Sequence, residues 1–179
     1  MQPFETIIET SFDDYKIIPF SKVTFDQEVR TLCEQNMCGC YGKSWTCPPA
    51  IDDIETLQSR LAAFSQCFVF YTVYQLEDSF DWEGMMSSVK DFQSRILKSK
   101  KKIQDQEQNQ EFLFLGAGSC QLCETCTYPE EKPCRNPEDA IFSVESFGID
   151  ATKLMQENGL KYNNGANTVT YIGVLFFSA

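Results

Sequence analysis

Histidine is absent from this 179-residue chain. Without it, Ser-His-Asp and Cys-His catalysis, Cys2His2 zinc fingers, facial-triad iron and histidine-ligated haem are all excluded. Basic charge is scarce: 15 Lys and Arg stand against 26 Asp and Glu, for a formal net charge of −11. A chain with a sequence pI near 4.4 offers no broad basic surface to phosphates, so no nucleic acid partner is expected. Long apolar runs are missing too. None approaches the roughly 18–20 residues that cross a bilayer, and the longest, Thr168 to Phe177, is interrupted by Gly173 and has the length of a buried strand. No membrane association is therefore expected. The first residues, from Met1 to Thr6, carry neither a basic n-region nor an apolar h-region. That predicts no signal peptide and a cytoplasmic protein.

Cysteine and phenylalanine are plentiful, with nine and 15 copies. The length predicts one domain over residues 1–179 with a sizeable core. In a reducing compartment, clustered thiols more often hold metal than form disulfides, and an odd count fits a disulfide framework poorly.

Patterning predicts an α+β fold. Tyr15 to Phe20 reads as a strand, with Pro19 favouring a sheet edge. Phe25, Val29, Leu32 and Cys33 fall at helical spacing, as do Ile51, Ile54, Leu57 and Leu61 after Pro48-Pro49. Cys67 to Tyr74 is apolar on both faces and suits a central strand. Trp82, Met85, Val89, Phe92, Ile96 and Ile103 trace one face of a long helix, which runs out into a polar stretch over 104–111. Phe112 to Leu115 reads as a short strand. Asn136-Pro137-Glu138-Asp139 has the form of a helix start, with Gly148 closing that helix. A further helix is expected from Asp150 to Gly159, and a last strand over Thr168 to Phe177. The expected architecture is a mixed sheet of about four to five strands covered by helices, with two cysteine-rich metal-binding loops.

Eight of the nine cysteines form two groups about 70 residues apart. The second is Cys120-x2-Cys123-x2-Cys126, followed by Cys134. Thiolates at i, i+3 and i+6 let a loop wrap a cubane so that each meets a different iron, the spacing that opens the bacterial ferredoxin run. Cys134 follows a proline rather than preceding one, so only the first three positions match that run. Tetrahedral zinc more often uses two separated Cys-x2-Cys pairs. A [4Fe-4S] cluster is therefore favoured, with zinc as the alternative. The first group is Cys33, Cys38, Cys40 and Cys47, the last running into Pro48-Pro49. Cys38 and Cys40 flank a single glycine, which makes joint binding of one cluster cramped. Cys47 and Cys134 each precede an expected helix, whose N-terminal dipole would stabilise an anionic cluster, and Arg135 would add to it.

Cys38-Gly39-x-Tyr41-Gly42-Lys43-Ser44-Trp45-x-Cys47-Pro48-Pro49 resembles the first signature of a family of small, cysteine-rich, predicted metal-binding proteins catalogued as domain of unknown function 2284. The spacing of Cys120, Cys123, Cys126 and Tyr128, then Pro133-Cys134-Arg135 and Ser143-x-Glu145-x2-Gly148-Ile149-Asp150, resembles its second. The resemblance implies a metal or iron–sulfur protein and no particular reaction. It also implies that the place of Cys40 need not be cysteine. The first centre would then rest on Cys33, Cys38 and Cys47, with the fourth donor missing or supplied from elsewhere. Cys67 is a conceivable donor, although its strand context suits a buried free thiol.

The leading expectation is an iron–sulfur protein with two [4Fe-4S] clusters, passing electrons to or from a redox partner protein that the acidic surface would recognise through a basic patch. Two alternatives stand beside it. One is an enzyme with an open iron held by three cysteines, and the other a zinc-stabilised interaction module.

Overall fold

The structure is a computed structural model that describes residues 4–106 and 110–178. Its centre is an antiparallel pair, β2 (Gln66–Gln75) and β5 (Thr168–Phe177), matched along their whole lengths from Gln66 opposite Phe177 to Gln75 opposite Thr168. Successive side chains of a strand point to opposite faces. Cys67, Val69 and Tyr71 thus join Ile172, Val174 and Phe176 in one core, while Phe68, Phe70, Leu175 and Phe177 enter another. Burial of both faces explains why neither strand shows polar alternation. Gly173 is needed for this packing: a Cβ there would stand 2.4 Å from the Phe70 ring and 3.0 Å from the Leu115 carbonyl.

β1 (Asp14–Pro19) pairs antiparallel with β2 at the sheet edge and ends on its proline. Beyond β5 lie β3 (Phe112–Gly116), antiparallel to it, and the two-residue β4 (Phe142–Ser143), parallel to β3. The result is a five-stranded mixed sheet of order β1-β2-β5-β3-β4 with helices on both faces, an α+β architecture. α1 (Glu5–Ser11) and α4 (Trp82–Gln106) bury Ile7, Ile8, Phe92, Ile96 and Ile103 on one face. On the other, α3 (Ile54–Leu61) and α5 (Ala151–Glu157) supply Leu57, Leu61, Leu154 and Met155. None of the described helices is long and apolar enough to cross a membrane.

α2 (Gln27–Glu34) buries none of its residues, so polar bonds rather than packing fix it. Asp26 caps it by accepting from the Glu28 N–H, and the Asp26 N–H donates to the Gly148 carbonyl at 2.7 Å. Arg30 donates through Nη1 to the carbonyls of Asp52 and Ser146.

Three expectations need correction. The helix expected from Asn136 does not form: residues 136–139 make a turn, β4 follows, and a 3-10 turn spans Glu145–Phe147. Ile141, Val144 and Phe147 recur every third residue, which imitates a helix, but pairing alongside β3 buries them instead, with the Val144 N–H donating to the Gly116 carbonyl at 3.0 Å. The helix after Pro48-Pro49 begins only at Ile54, under an Asp53 cap. Trp82 is 67% exposed rather than on the buried stripe of α4. Within the polar stretch 104–111, α4 continues through Gln106, and residues 107–109 lie outside the described residues.

Candidate metal centres

Neighbouring parallel strands need a long crossover, which is usually a helix. Between β3 and β4 it is instead the loop 117–141, whose regular structure is one 3-10 turn, Tyr128–Glu130. A loop of this length with so little structure of its own is normally functional. It carries Cys120, Cys123, Cys126 and Cys134, and all four line one tight cavity of about 20 Å³ together with Ser44, Trp45 and Thr46. Polar groups hold the loop in place. Gln93, on α4 and 2% exposed, donates through Nε2 to the carbonyls of Ala117 and Ser119, while its Oε1 accepts from the Gln121 N–H, each at 2.9 Å. Trp45 donates through Nε1 to the Lys132 carbonyl at 3.0 Å and packs edge-on against Tyr128. Arg135 donates to the Thr125 carbonyl at 2.8 Å.

Cys33 lies in the last turn of α2, and Cys38, Cys40 and Cys47 follow in the loop that leads to α3. These four line a roomier cavity of about 300 Å³, which Ser119 and Glu145 also face. The structure therefore places each sequence group on its own cavity. Cys67 faces neither: it is fully buried in the sheet core, where burial pushes its thiol up to about 12. Among the described residues, no three His, Cys, Asp or Glu side chains converge closely enough to hold a single metal ion.

The two cavities share a wall. Ser44 and Thr46, 5% and 2% exposed, are hydrogen-bonded to each other at 3.1 Å. On one side the Cys47 N–H donates to the Ser44 carbonyl at 3.2 Å, and both hydroxyls favour the Cys47 thiolate. On the other, Ser44 lines the second cavity with Cys126 and favours its thiolate, and Thr46 accepts from the Cys120 N–H at 3.2 Å. A second link runs from the Cys40 Sγ to the Ser119 hydroxyl at 3.2 Å, one residue before Cys120.

Thiolate chemistry differs across this wall. Burial, followed by the neighbouring Cys40 and Cys38, pushes Cys47 up to about 12. Burial also raises Cys33, which Arg30 partly offsets, as well as Cys40 and Cys120. Burial opposes the Cys126 thiolate as well, yet the backbone N–H groups of Tyr128, Trp45 and Thr127 and the Ser44 hydroxyl outweigh it and hold this thiol below its ordinary value. Donors aimed at sulfur are what stabilise an anionic thiolate centre and raise its potential. Cys120 receives similar bonds from the backbone of Ile141 and Leu122, and Asn136 donates through Nδ2 to Cys123 Sγ at 3.5 Å.

These individual donors replace the helix dipoles expected from sequence. No helix starts behind Cys134, and α3 starts well beyond Cys47. Gln93 was not singled out by the sequence pattern. Its one local signal is a long polar side chain at i+4 from Val89 within the mainly apolar stripe of α4.

Two four-cysteine cavities beside a mixed sheet define a cysteine-rich chain of metal-binding type. A family model described as predicted metal-binding protein, domain of unknown function 2284, matches residues 16–177, and the chain belongs to that family. A search of the curated proteins and a search of the solved structures each found no match.

Proposed function

We propose that the chain is an iron–sulfur protein with two adjoining [4Fe-4S] centres that carries electrons to or from a partner protein. The observation that supports this most is the shared Ser44–Thr46 wall, which joins the two sets of cysteines by hydrogen bonds. Cys120, Cys123, Cys126 and Cys134 fit the second centre by donor type, by their i, i+3, i+6 spacing and by the N–H groups aimed at Cys126. Cys33, Cys38 and Cys47 fit the first, with a fourth donor from the same cavity. Bound there, clusters supply one-electron chemistry. The chain's own part is to fix the thiolates, exclude water with Trp45 and Tyr128, and donate hydrogen bonds to sulfur. With a net charge of −11, the surface suits a partner with a basic patch. In frozen protein reduced by dithionite, the electron paramagnetic resonance spectrum should show two mutually broadened cluster signals. Two independent, additive signals would contradict a shared wall.

One observation favours zinc at the second centre: a cavity of about 20 Å³ has the room of a single small body. Against it, the thiols there do not converge on one point. Tryptophan fluorescence separates the two metals. Trp45 lines the second cavity, whereas Trp82, the other of two tryptophans, stands in solvent. An iron–sulfur centre absorbs at the wavelengths Trp45 emits, so its removal by a chelator should raise emission severalfold. Trp45→Phe should abolish that rise and Trp82→Phe should keep it. Zinc, which has no such absorption, would give no rise.

A further inference from the structure

The first cavity contains a carboxylate that neither signature explains. Glu145 opens the 3-10 turn after β4 and faces the same cavity as Cys33. The two are held there by one clamp. Arg30, one turn before Cys33 on α2, donates to the carbonyl of Ser146, the residue after Glu145, at 2.9 Å. The turn ends on Gly148 at φ 76°, where a Cβ would stand 2.4 Å from Ile54, so its path is closely fixed. Glu145 is half-buried, and burial raises its pKa, with Asp150 adding to the effect. Its own backbone N–H and the Ser143 hydroxyl offset part of that rise. Among the described residues it makes no ion pair, and the nearby Arg30 is engaged by two carbonyls. A carboxylate drawn partly out of water is stabilised as the anion by a paired cation or a coordinated metal, and no cation among the described residues pairs with this one. Cys40 stands one glycine from Cys38, which makes joint ligation of one cluster cramped, and its Sγ instead donates to the Ser119 hydroxyl at 3.2 Å and to the Cys38 carbonyl at 3.4 Å.

We propose that Glu145 supplies the fourth donor of the first metal centre, an oxygen beside the thiolates of Cys33, Cys38 and Cys47, and that Cys40 stands outside the coordination sphere. This rests on the reading that the first cavity holds metal. Three sulfurs and one oxygen make the two centres chemically unlike. The carboxylate, a harder donor than its thiolate neighbours, is then the one that an incoming small ligand displaces, in a cavity with room for it.

The test compares metal content per chain in wild type, Cys40→Ser, Glu145→Gln and Glu145→Cys, with Mössbauer spectra of the iron-57 protein. Cys40→Ser should keep wild-type content and spectrum. Glu145→Gln should lose the metal of the first centre, about half of the total. Glu145→Cys should restore it while removing the signature of one oxygen-bound iron, which also shows that position 145 tolerates substitution. Loss of first-centre metal in Cys40→Ser, or an unchanged content and spectrum in Glu145→Gln, overturns the assignment. Zinc without sulfide in the wild type overturns the iron–sulfur reading, yet the same comparison of zinc contents still decides Glu145. A wild type without metal overturns both.

Discussion

Cys126→Ser should remove the second centre and leave the sheet folded. Backbone N–H groups and the Ser44 hydroxyl hold the Cys126 thiol below its ordinary value, so its loss removes a ligand that the loop is arranged to present as thiolate. Serine is a poor substitute because its hydroxyl keeps its proton near neutral pH and is a hard donor. The two buried cores draw on β1 to β5 and the helices packed on them, and neither includes any residue from 118 to 140. Without metal, the loop keeps only polar tethers such as Gln93 and Trp45. The expected result is a loss of half the iron, a far-ultraviolet circular dichroism spectrum close to wild type, and new protease cleavage within 117–141. Full iron content in the variant would show that Cys126 is not a ligand.

Gln93→Leu should have nearly as large an effect from outside the cysteines. Leucine fits the space on α4 but strands the Ala117 carbonyl and the Gln121 N–H at the start of the cysteine loop, while the Ser119 carbonyl keeps only the bond from Gln121 Nε2. Each unpaired buried group costs about 1–3 kcal/mol. Ala117 and Gln121 are half-buried, so water recovers part of this, and a net cost of about 1–3 kcal/mol is expected. Against a typical total of about 5–15 kcal/mol, that is a substantial fraction of stability. The loss falls beside Cys120, so metal should leave the second centre faster under chelator while the first is unaffected. Gln93→Glu is the informative partner: it keeps an acceptor for the Gln121 N–H, loses both donated bonds, and should fall between wild type and Gln93→Leu. Equal chelation rates in all three proteins would show that Gln93 does not position the loop.

Much of the fold was legible because its signals are local. β2 and β5 were visible as runs apolar on both faces, and α4 as a stripe of period 3.6 from Val89 to Ile103. Residues 136–148 were misread because Asn-Pro-Glu-Asp is a local start signal that a turn also satisfies. The every-third-residue spacing of Ile141, Val144 and Phe147 also fits a short strand running into a 3-10 turn. Grouping the cysteines into two fours needed only their spacing, and each group lines one cavity. What the sequence hid are long-range contacts. Thr46 meets Cys120 across 74 positions, and Arg30 meets Ser146 across 116, with no periodicity to announce either. Glu145 stood inside a quoted signature, but only the folded chain sets it opposite Cys33.

The most direct test of the two-centre account is the metal and acid-labile sulfide content of protein purified without oxygen, taken with its visible spectrum. The account predicts close to eight iron and eight sulfide per chain and a brown colour that dithionite bleaches, since each [4Fe-4S] centre holds four of each. Zinc without sulfide, in a colourless protein, would contradict it.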